Sequence, residues 1–223
     1  LTFTATAVSD GQRREFLPAA GHDLFLPLYD PLVRFMGFDR SRQELISQAN
    51  INPDHQILDI GCGTGSFVVL LKRQLPAAQV IGLDPDPKAL RRAQRKIARA
   101  AVSVQLDQGF ADQLPYQRDS FDRVFSSFMF HHLEEHEKEK ALNEVSRVLK
   151  PGGSFHLLDF TADHGAHGFL SRLFHSHARM KDNTDERLLQ LMGLAGFKNA
   201  EKVKGESKYF GLTTTAYYRA SRK

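Results

Sequence analysis

The strongest constraint on the fold is a short stretch in which a largely apolar run leads into three closely spaced glycines. The run is 57–60, the glycines are Gly61, Gly63 and Gly65, and a second apolar run follows at 67–71. This order predicts a buried strand, a tight turn and a helix. Glycine at alternate positions permits left-handed backbone and leaves no Cβ to block a ligand on the turn. The first N–H groups of the helix face that ligand and favour one with a negative end.

The spacing of the glycines narrows the kind of ligand. A dinucleotide-binding turn has a glycine three positions after its second glycine, and here that position is Ser66. About twenty residues later, a second largely apolar stretch, 80–84, ends in Asp84, whose carboxylate can accept hydrogen bonds from ribose hydroxyls. Together these features predict a nucleoside-containing cofactor and do not require a phosphate. The alternative is a tight strand-to-helix connection that binds no ligand.

Four motifs, in order and spacing, resemble those of a known family. They are 58–65, 82–84, 114–116 followed by 120–122, and 147–153. The family is the class I S-adenosylmethionine-dependent methyltransferases, and the most similar group in it contains the ubiquinone and menaquinone C-methyltransferases. The resemblance covers residues 50–160 well and the flanks loosely.

The resemblance implies S-adenosyl-L-methionine as the cofactor and assigns roles within the motifs. The residues that it places against the cofactor are Asp59, Gly61, Cys62, Gly63, Thr64, Gly65, Asp84, Pro85, Phe110, Ala111 and Ser127. Phe110 departs from the family pattern, in which an acid or amide at this position commonly accepts a hydrogen bond from the adenine amino group. A phenyl ring can still pack against the base, and the Ala111 N–H is unaffected. Asp112 is either a substitute acceptor or a surface acid.

Candidate catalytic residues lie at the carboxyl ends of the fourth and fifth predicted strands, where open α/β sheets bind ligands. His131, His132 and Asp159 are candidate bases, since histidine exchanges a proton near neutral pH. Side chains of adjacent residues usually point apart, so we expect at most one of the two histidines to face the acceptor. The alternative to a base role, for either histidine, is a positional or packing role. The resemblance also places a pair such as Tyr29-Asp30 near the methionine end of the cofactor. Tyr29 would orient the acceptor there, or it is a core aromatic.

The order of the predicted elements indicates the fold. We expect an α/β, Rossmann-like sheet of seven mostly parallel strands with helices on both faces, and the resemblance adds a C-terminal antiparallel hairpin. Predicted strands occupy 57–60, 80–84, 102–106, a segment from 121, 154–160, a segment from 197, and 208–220. Residues 1–50 are expected to form an N-terminal tail and helical cap, 51–223 the methyltransferase domain, and 161–185 a cap inserted over the acceptor pocket.

Composition excludes several classes of protein. Of 223 residues, 41% are apolar and 25% charged, which is ordinary for a globular domain. We find no apolar run long enough for a membrane span, and the start of the sequence does not resemble a secretory signal, so we expect a cytoplasmic protein. The single cysteine, Cys62, lies in the glycine turn, where it fills space and cannot form an internal disulfide. Cytosine C5-methylation, which needs a nucleophilic cysteine, is therefore not expected.

Charge does not point to nucleic acid as a partner. The net charge of +4 is small, and the six basic residues of 88–99 fit the solvated side of an outer helix, because no aromatic residue lies among them to stack on bases. We predict no metal, since the four histidines within 164–177 lack compact spacing with a carboxylate or thiol. The expected acceptor is a small, partly apolar molecule methylated on carbon, nitrogen or oxygen. The alternatives are an RNA or protein methyltransferase and a non-catalytic nucleotide-binding relative; the sequence indicates no oligomeric state.

Overall fold

A computed structural model describes residues 38–161, 183–208 and 213–223. Its elements, in chain order, are α1 (Phe38–Ser47), β1 (Gln56–Ile60), α2 (Ser66–Gln74), β2 (Gln79–Asp84), α3 (Pro87–Ala100), β3 (Gln105–Gln108), β4 (Phe121–Ser127), a 3₁₀ helix (Phe130–His132), α4 (Glu135–Val148), β5 (Leu149–Phe160), α5 (Asp185–Leu194), β6 (Phe197–Lys208) and β7 (Thr213–Arg222). Tyr29 and most of the two predicted caps lie outside the described residues, as do 209–212 of the last predicted strand.

The seven strands form one sheet in the order β3-β2-β1-β4-β5-β7-β6. The first five strands in the chain pair in parallel, whereas β7 is antiparallel to both β5 and β6. The predicted Rossmann-like sheet with a C-terminal antiparallel hairpin is therefore confirmed. The strand order reverses at β1, which lies between β2 and β4, and open sheets of this kind bind ligands beyond the carboxyl ends of the strands at such a point.

Two predicted strand boundaries were wrong. The third strand was predicted over 102–106, but pairing with β2 begins only at Gln105; Val102 and Val104 pack on the apolar core without joining the sheet. The fifth was predicted to begin at residue 154, but Leu149 already pairs with Phe121 of β4, and a bulge separates that pair from the rest. An irregular register of this kind leaves no period-two pattern in the sequence.

Alternating residues of the central strands contact two separate apolar cores. Leu58, Val124 and Leu157 belong to the core that contains residues of α4 and α5. Their neighbours Ile57, Phe125 and Leu158 belong to the core that contains residues of α1, α2 and α3. This period of two buries both faces of the sheet under helices, as the sequence predicts.

Hydrogen bonds join the end of β5 to the start of α5. The side-chain amide of Asn183 donates to the carbonyl of Phe160. The carboxylate of Asp185 accepts from the hydroxyl groups of Thr161 and Tyr218 and from Lys202. These contacts hold the end of β5, the start of α5 and strands β6 and β7 together. Among the helices described here, none is both long and apolar enough to cross a membrane.

Candidate functional site

The turn between β1 and α2 depends on left-handed glycines. The φ angles of Gly61, Gly63 and Gly65 are +73°, +53° and +80°, a region that costs other residues energy. A Cβ on Gly65 would lie 2.8 Å from the Cβ of Ala93, so α3 crosses the turn at close range. A Cβ on Gly63 would meet nothing within 4 Å, so the turn is open at that position.

Asp84, the last residue of β2, lies beside this turn. Its Oδ2 accepts the N–H of Gly63 at 2.8 Å, and its Oδ1 accepts the N–H of Asp86 at 2.9 Å. Burial raises the pKa of the Asp84 carboxyl to about 6, although both N–H donors favour the charged form. Each oxygen has further lone-pair capacity, so the carboxylate can also accept from hydroxyl groups of a ligand.

Asp86 adds a second carboxylate close to Asp84. It caps α3, because its Oδ1 accepts the N–H of Lys88 at 2.7 Å and Pro87 occupies the first turn of the helix. Its Oδ2 is buried and, in the part of the chain that the structure describes, has no hydrogen-bond partner. A buried acceptor without a partner next to Asp84 indicates a polar ligand.

A cavity of about 360 Å³ opens over the turn, within the size range of small-molecule sites. Ten of the predicted site residues line it: Gly61, Cys62, Gly63, Thr64, Asp84, Pro85, Phe110, Ala111, Ser127 and His132. Asp112, which could replace the hydrogen-bond acceptor that Phe110 lacks, also lines the cavity. The turn, Asp84 and Asp86 thus fit a ligand that carries a ribose.

Four other predicted residues do not line the cavity. Gly65 lies under α3, and Asp59 is fully buried, which raises the pKa of its carboxyl well above the usual range. His131 and Asp159 form a buried pair that is described next. Cys62 lines the cavity, but burial raises the pKa of its thiol, which disfavours the reactive thiolate.

His131 is held by Asp159 at the end of β5. Its Nδ1 is 2.6 Å from Oδ1 of Asp159, and its backbone N–H donates to Oδ2 at 2.9 Å. The N–H of Phe160 also donates to Oδ1 at 2.8 Å. The His132 ring lies against the His131 ring, with centroids 4.0 Å apart, and His132 reaches the cavity. The 3₁₀ helix therefore separates the two histidines into one buried and one cavity-lining residue.

An aromatic wall borders the cavity at the ends of β4 and β5. The Phe128 ring centroid is 4.6 Å from that of Phe38 and 5.0 Å from that of Phe160. Phe128 has a φ of +58°, an outlier for a bulky side chain, and strain of this kind is concentrated at functional sites. Phe128 also lines the cavity, so the wall offers apolar contact to a ligand.

Arg42 of α1 is a cavity-lining residue that the motifs did not identify. Its side chain is 7% exposed, and its Nε and Nη1 have no hydrogen-bond partner among the described residues. The sequence carried a signal, because Phe38, Leu45 and Ile46 are spaced as one face of a helix and position 42 falls on that face. An arginine on a buried helical face needs an acceptor. The same described residues contain no group of three or more His, Cys, Asp or Glu side chains able to hold a metal.

Comparison with known proteins gives a consistent result. Residues 57–153 match the family model described as "Methyltransferase domain". A demethylmenaquinone methyltransferase of Thermus thermophilus is 35% identical over 152 residues, which cover 66% of this chain and 68% of that protein. One of Deinococcus radiodurans is 34% identical over 155 residues, which cover 68% of this chain and 64% of that protein. The chain thus spans about two thirds of the length of these curated relatives.

A solved structure shares the fold. It is phosphoethanolamine N-methyltransferase 2 of Haemonchus contortus in complex with S-adenosyl-L-methionine, with a TM-score of 0.68 and 17% sequence identity. The match covers 82% of this chain and 52% of that chain. At this identity the likeness concerns the architecture of the sheet and its helices.

Proposed function

Because this chain belongs to the class I S-adenosylmethionine-dependent methyltransferases, we propose that it transfers the methyl group of S-adenosylmethionine to a small, partly apolar molecule. One observation carries the proposal: Asp84 accepts the N–H of Gly63 at 2.8 Å, and both residues line the cavity over the glycine turn. The carboxylate has capacity left for two ribose hydroxyls, and the open position at Gly63 leaves room for the ligand.

In this proposal, different residues around the cavity bind different parts of the cofactor. The carboxylates of Asp84 and Asp86 receive the hydroxyl groups of the ribose. The ring of Phe110 packs against the base, and the N–H of Ala111 meets its edge. Ser127, at the end of β4, faces the other end of the ligand. The bound cofactor supplies a methyl group on a sulfonium, so alignment of the acceptor with that methyl provides much of the rate enhancement.

The aromatic wall supports a partly apolar acceptor. Phe128, Phe38 and Phe160 place three rings within 5.9 Å of one another by their centroids. Offset and edge contacts with such rings suit a planar ring of the acceptor. Both curated relatives described above are named demethylmenaquinone methyltransferases, and we propose an acceptor of that kind, a planar ring with an apolar substituent.

His132 is the proposed base. Methylation of a phenol or an acidic carbon requires loss of a proton, whereas an amine needs only to be neutral. His132 lines the cavity and lies against His131, whose ring is fixed by the Asp159 carboxylate. His131 and Asp159 thus act as positioning residues that hold the His132 ring toward the acceptor.

A methyl-transfer assay tests the function. The protein would be incubated with methyl-labelled S-adenosylmethionine and, in separate reactions, a naphthoquinol with a short isoprenoid tail, a catechol, a primary amine and a transfer RNA. We expect label on the quinol or catechol and none on the RNA. Label on RNA alone, or on no acceptor while the protein binds the cofactor, would overturn the proposal.

A further inference from the structure

The first turn of α5 is bonded to both segments that carry the proposed base and the pair beside it. The carboxylate of Asp185 accepts from the hydroxyl of Thr161 at 2.8 Å, and Thr161 follows Asp159 by two residues. Arg187 donates to Glu135, the first residue of α4. The 3₁₀ helix with the two histidines ends only three residues before Glu135. One helical turn therefore holds the end of β5 and the segment that follows the 3₁₀ helix.

The guanidinium of Arg187 contacts the Glu135 carboxylate through two of its nitrogens. Nε donates to Oε2 of Glu135 at 3.1 Å, and Nη2 donates to Oε1. Nη2 also lies 3.9 Å from Oε1 of Glu139, one turn further along α4, and Nη1 donates to Gln190 of its own helix at 2.6 Å. A contact made by two parallel bonds fixes orientation as well as distance, because the fork of the guanidinium must match the carboxylate. Arg187 therefore sets how the first turn of α4 lies against α5.

A short, hydrogen-bonded connection joins this turn of α4 to the proposed base. Glu134 lies two residues after His132 and caps α4, and its backbone N–H donates to the Glu137 side chain at 2.8 Å. This capping arrangement bonds the chain that enters the helix to the first turn of the helix. His132 and Glu137 both line the cavity. A shift of the first turn of α4 would therefore also move His132.

The stability of the fold does not account for this ion pair. The side chains of Arg187 and Glu135 are 30% and 39% exposed, and ion pairs at such positions contribute little to the free energy of unfolding. Leu188, Leu191 and Met192 of α5 are buried in the same apolar core as residues of α4, and this packing holds the two helices together. The ion pair adds a defined orientation to that contact.

We propose that Arg187 is a positioning residue for methyl transfer, which acts through Glu135 to keep the His132 ring directed at the acceptor. This assignment rests on the proposed function and on His132 as its base. A general base must lie within hydrogen-bond reach of the proton that it removes, and a displacement of about 1 Å can lower a rate by about 10²-fold. Loss of the Arg187 contact should therefore slow the chemical step and leave cofactor binding unchanged.

The test measures kcat and KM for a naphthoquinol acceptor, and the affinity for S-adenosylhomocysteine by calorimetry. The proteins are the unaltered chain, Arg187→Gln, Arg187→Lys and Arg219→Gln. Arg219 is the matched control, because it forms an ion pair with Glu201, on the β6-β7 hairpin, that is also partly exposed. Arg187→Gln should lower kcat by about 10- to 100-fold with KM and cofactor affinity unchanged. Arg187→Lys should recover part of the rate, and Arg219→Gln should match the unaltered chain.

A double variant separates positioning from general damage. If Arg187 acts through His132, Arg187→Gln should lower kcat no further when His132→Gln is already present. A further loss in the double variant, an unaltered kcat in Arg187→Gln, or a loss of cofactor affinity in that variant would overturn the assignment. An unaltered kcat in His132→Gln alone would overturn this role and leave methyl transfer standing. An unaltered chain that methylates no acceptor would overturn the proposed function itself, and this assignment with it.

Discussion

The Oδ2 atom of Asp84 accepts the N–H of Gly63 over 2.8 Å, so one carboxylate joins the end of β2 to the glycine turn that follows β1. Because the same carboxylate is the proposed acceptor for ribose hydroxyls, the geometry of the turn and the binding of the ligand depend on one charged group. Its protonation should therefore control both.

Cofactor affinity should depend on pH through Asp84. Burial raises the pKa of this carboxyl to about 6, and its protonated form is a poorer acceptor for ribose hydroxyls. We expect the affinity for S-adenosylhomocysteine to rise as the pH rises through this value, with a limit of about tenfold per pH unit below it. Titration calorimetry at several pH values measures this, and Asp84→Asn should remove the dependence. An affinity that is constant through this range in the unaltered chain would contradict the role of Asp84.

The stability of the ligand-free protein should show the opposite trend. The folded-state pKa of Asp84 lies above the unfolded value, so between the two values the folded state holds more protons. The free energy of unfolding should therefore decrease as the pH rises from about 4 to about 6, and this decrease should be smaller in Asp84→Asn. Urea unfolding of the two proteins across this range gives the comparison; identical slopes would mean that the carboxyl titrates normally.

Alanine substitutions at Gly63 and Gly152 should distinguish the effect of backbone strain on stability from the effect of an added Cβ on ligand binding. Gly63 and Gly152 have φ angles of +53° and +78°, and an added Cβ would meet no atom within 4 Å at either. Gly63→Ala and Gly152→Ala should each cost about 1–2 kcal/mol of stability, which thermal unfolding measures. Only Gly63→Ala should weaken binding of S-adenosylhomocysteine, because its Cβ enters the cavity. A similar loss of affinity in both variants would show that strain alone explains the effect.

Removal of the His132 imidazole should slow the reaction without loss of the fold. His132→Gln should lower kcat for a phenolic or quinol acceptor by about 10²- to 10⁴-fold, as expected for a general base, and leave the affinity for S-adenosylhomocysteine unchanged. His55→Gln is the control, since His55 precedes β1 and so lies at the amino end of that strand, away from the cavity at the carboxyl ends. Steady-state kinetics across pH measures both. An unaltered kcat and pH profile in His132→Gln would remove it from the mechanism.

Charge reversal on α3 should leave methyl transfer intact. Arg91 and Arg95 are exposed, whereas Lys96 of the same helix donates to the hydroxyls of Thr64 and Ser66 at the turn. The double variant Arg91→Glu/Arg95→Glu should therefore keep its kcat with a small acceptor. Binding of transfer RNA would be measured by filter binding. If the unaltered chain binds the RNA with an affinity that falls steeply with salt, and the double variant does not bind it, an RNA substrate would be favoured instead.

Local patterns predicted the parts of the site that depend on nearby residues. The glycines of the turn and the carboxylate of Asp84 follow from strand, turn and helix signals within thirty residues, and parallel neighbouring strands bring them together. The reversal of strand order at β1 then places the cavity. These features were therefore accessible from the sequence.

The features of the site and of β5 that the sequence did not predict depend on packing between residues far apart in the chain. Which of two adjacent histidines reaches the cavity is set by Asp159, which holds His131 from a different strand. Arg42 enters the wall because α1 packs next to Phe128, whose left-handed backbone has no local sequence signal. The early start of β5 likewise depends on a bulged pairing with β4. Tertiary contacts override local propensity at such positions.

Cofactor binding at the glycine turn is tested most simply by isothermal titration of the chain with S-adenosylmethionine and, separately, with S-adenosylhomocysteine. We expect one-to-one binding of both ligands with micromolar affinity, markedly weakened in Asp84→Ala while the variant remains folded. A folded, unaltered chain that binds neither ligand would contradict this expectation.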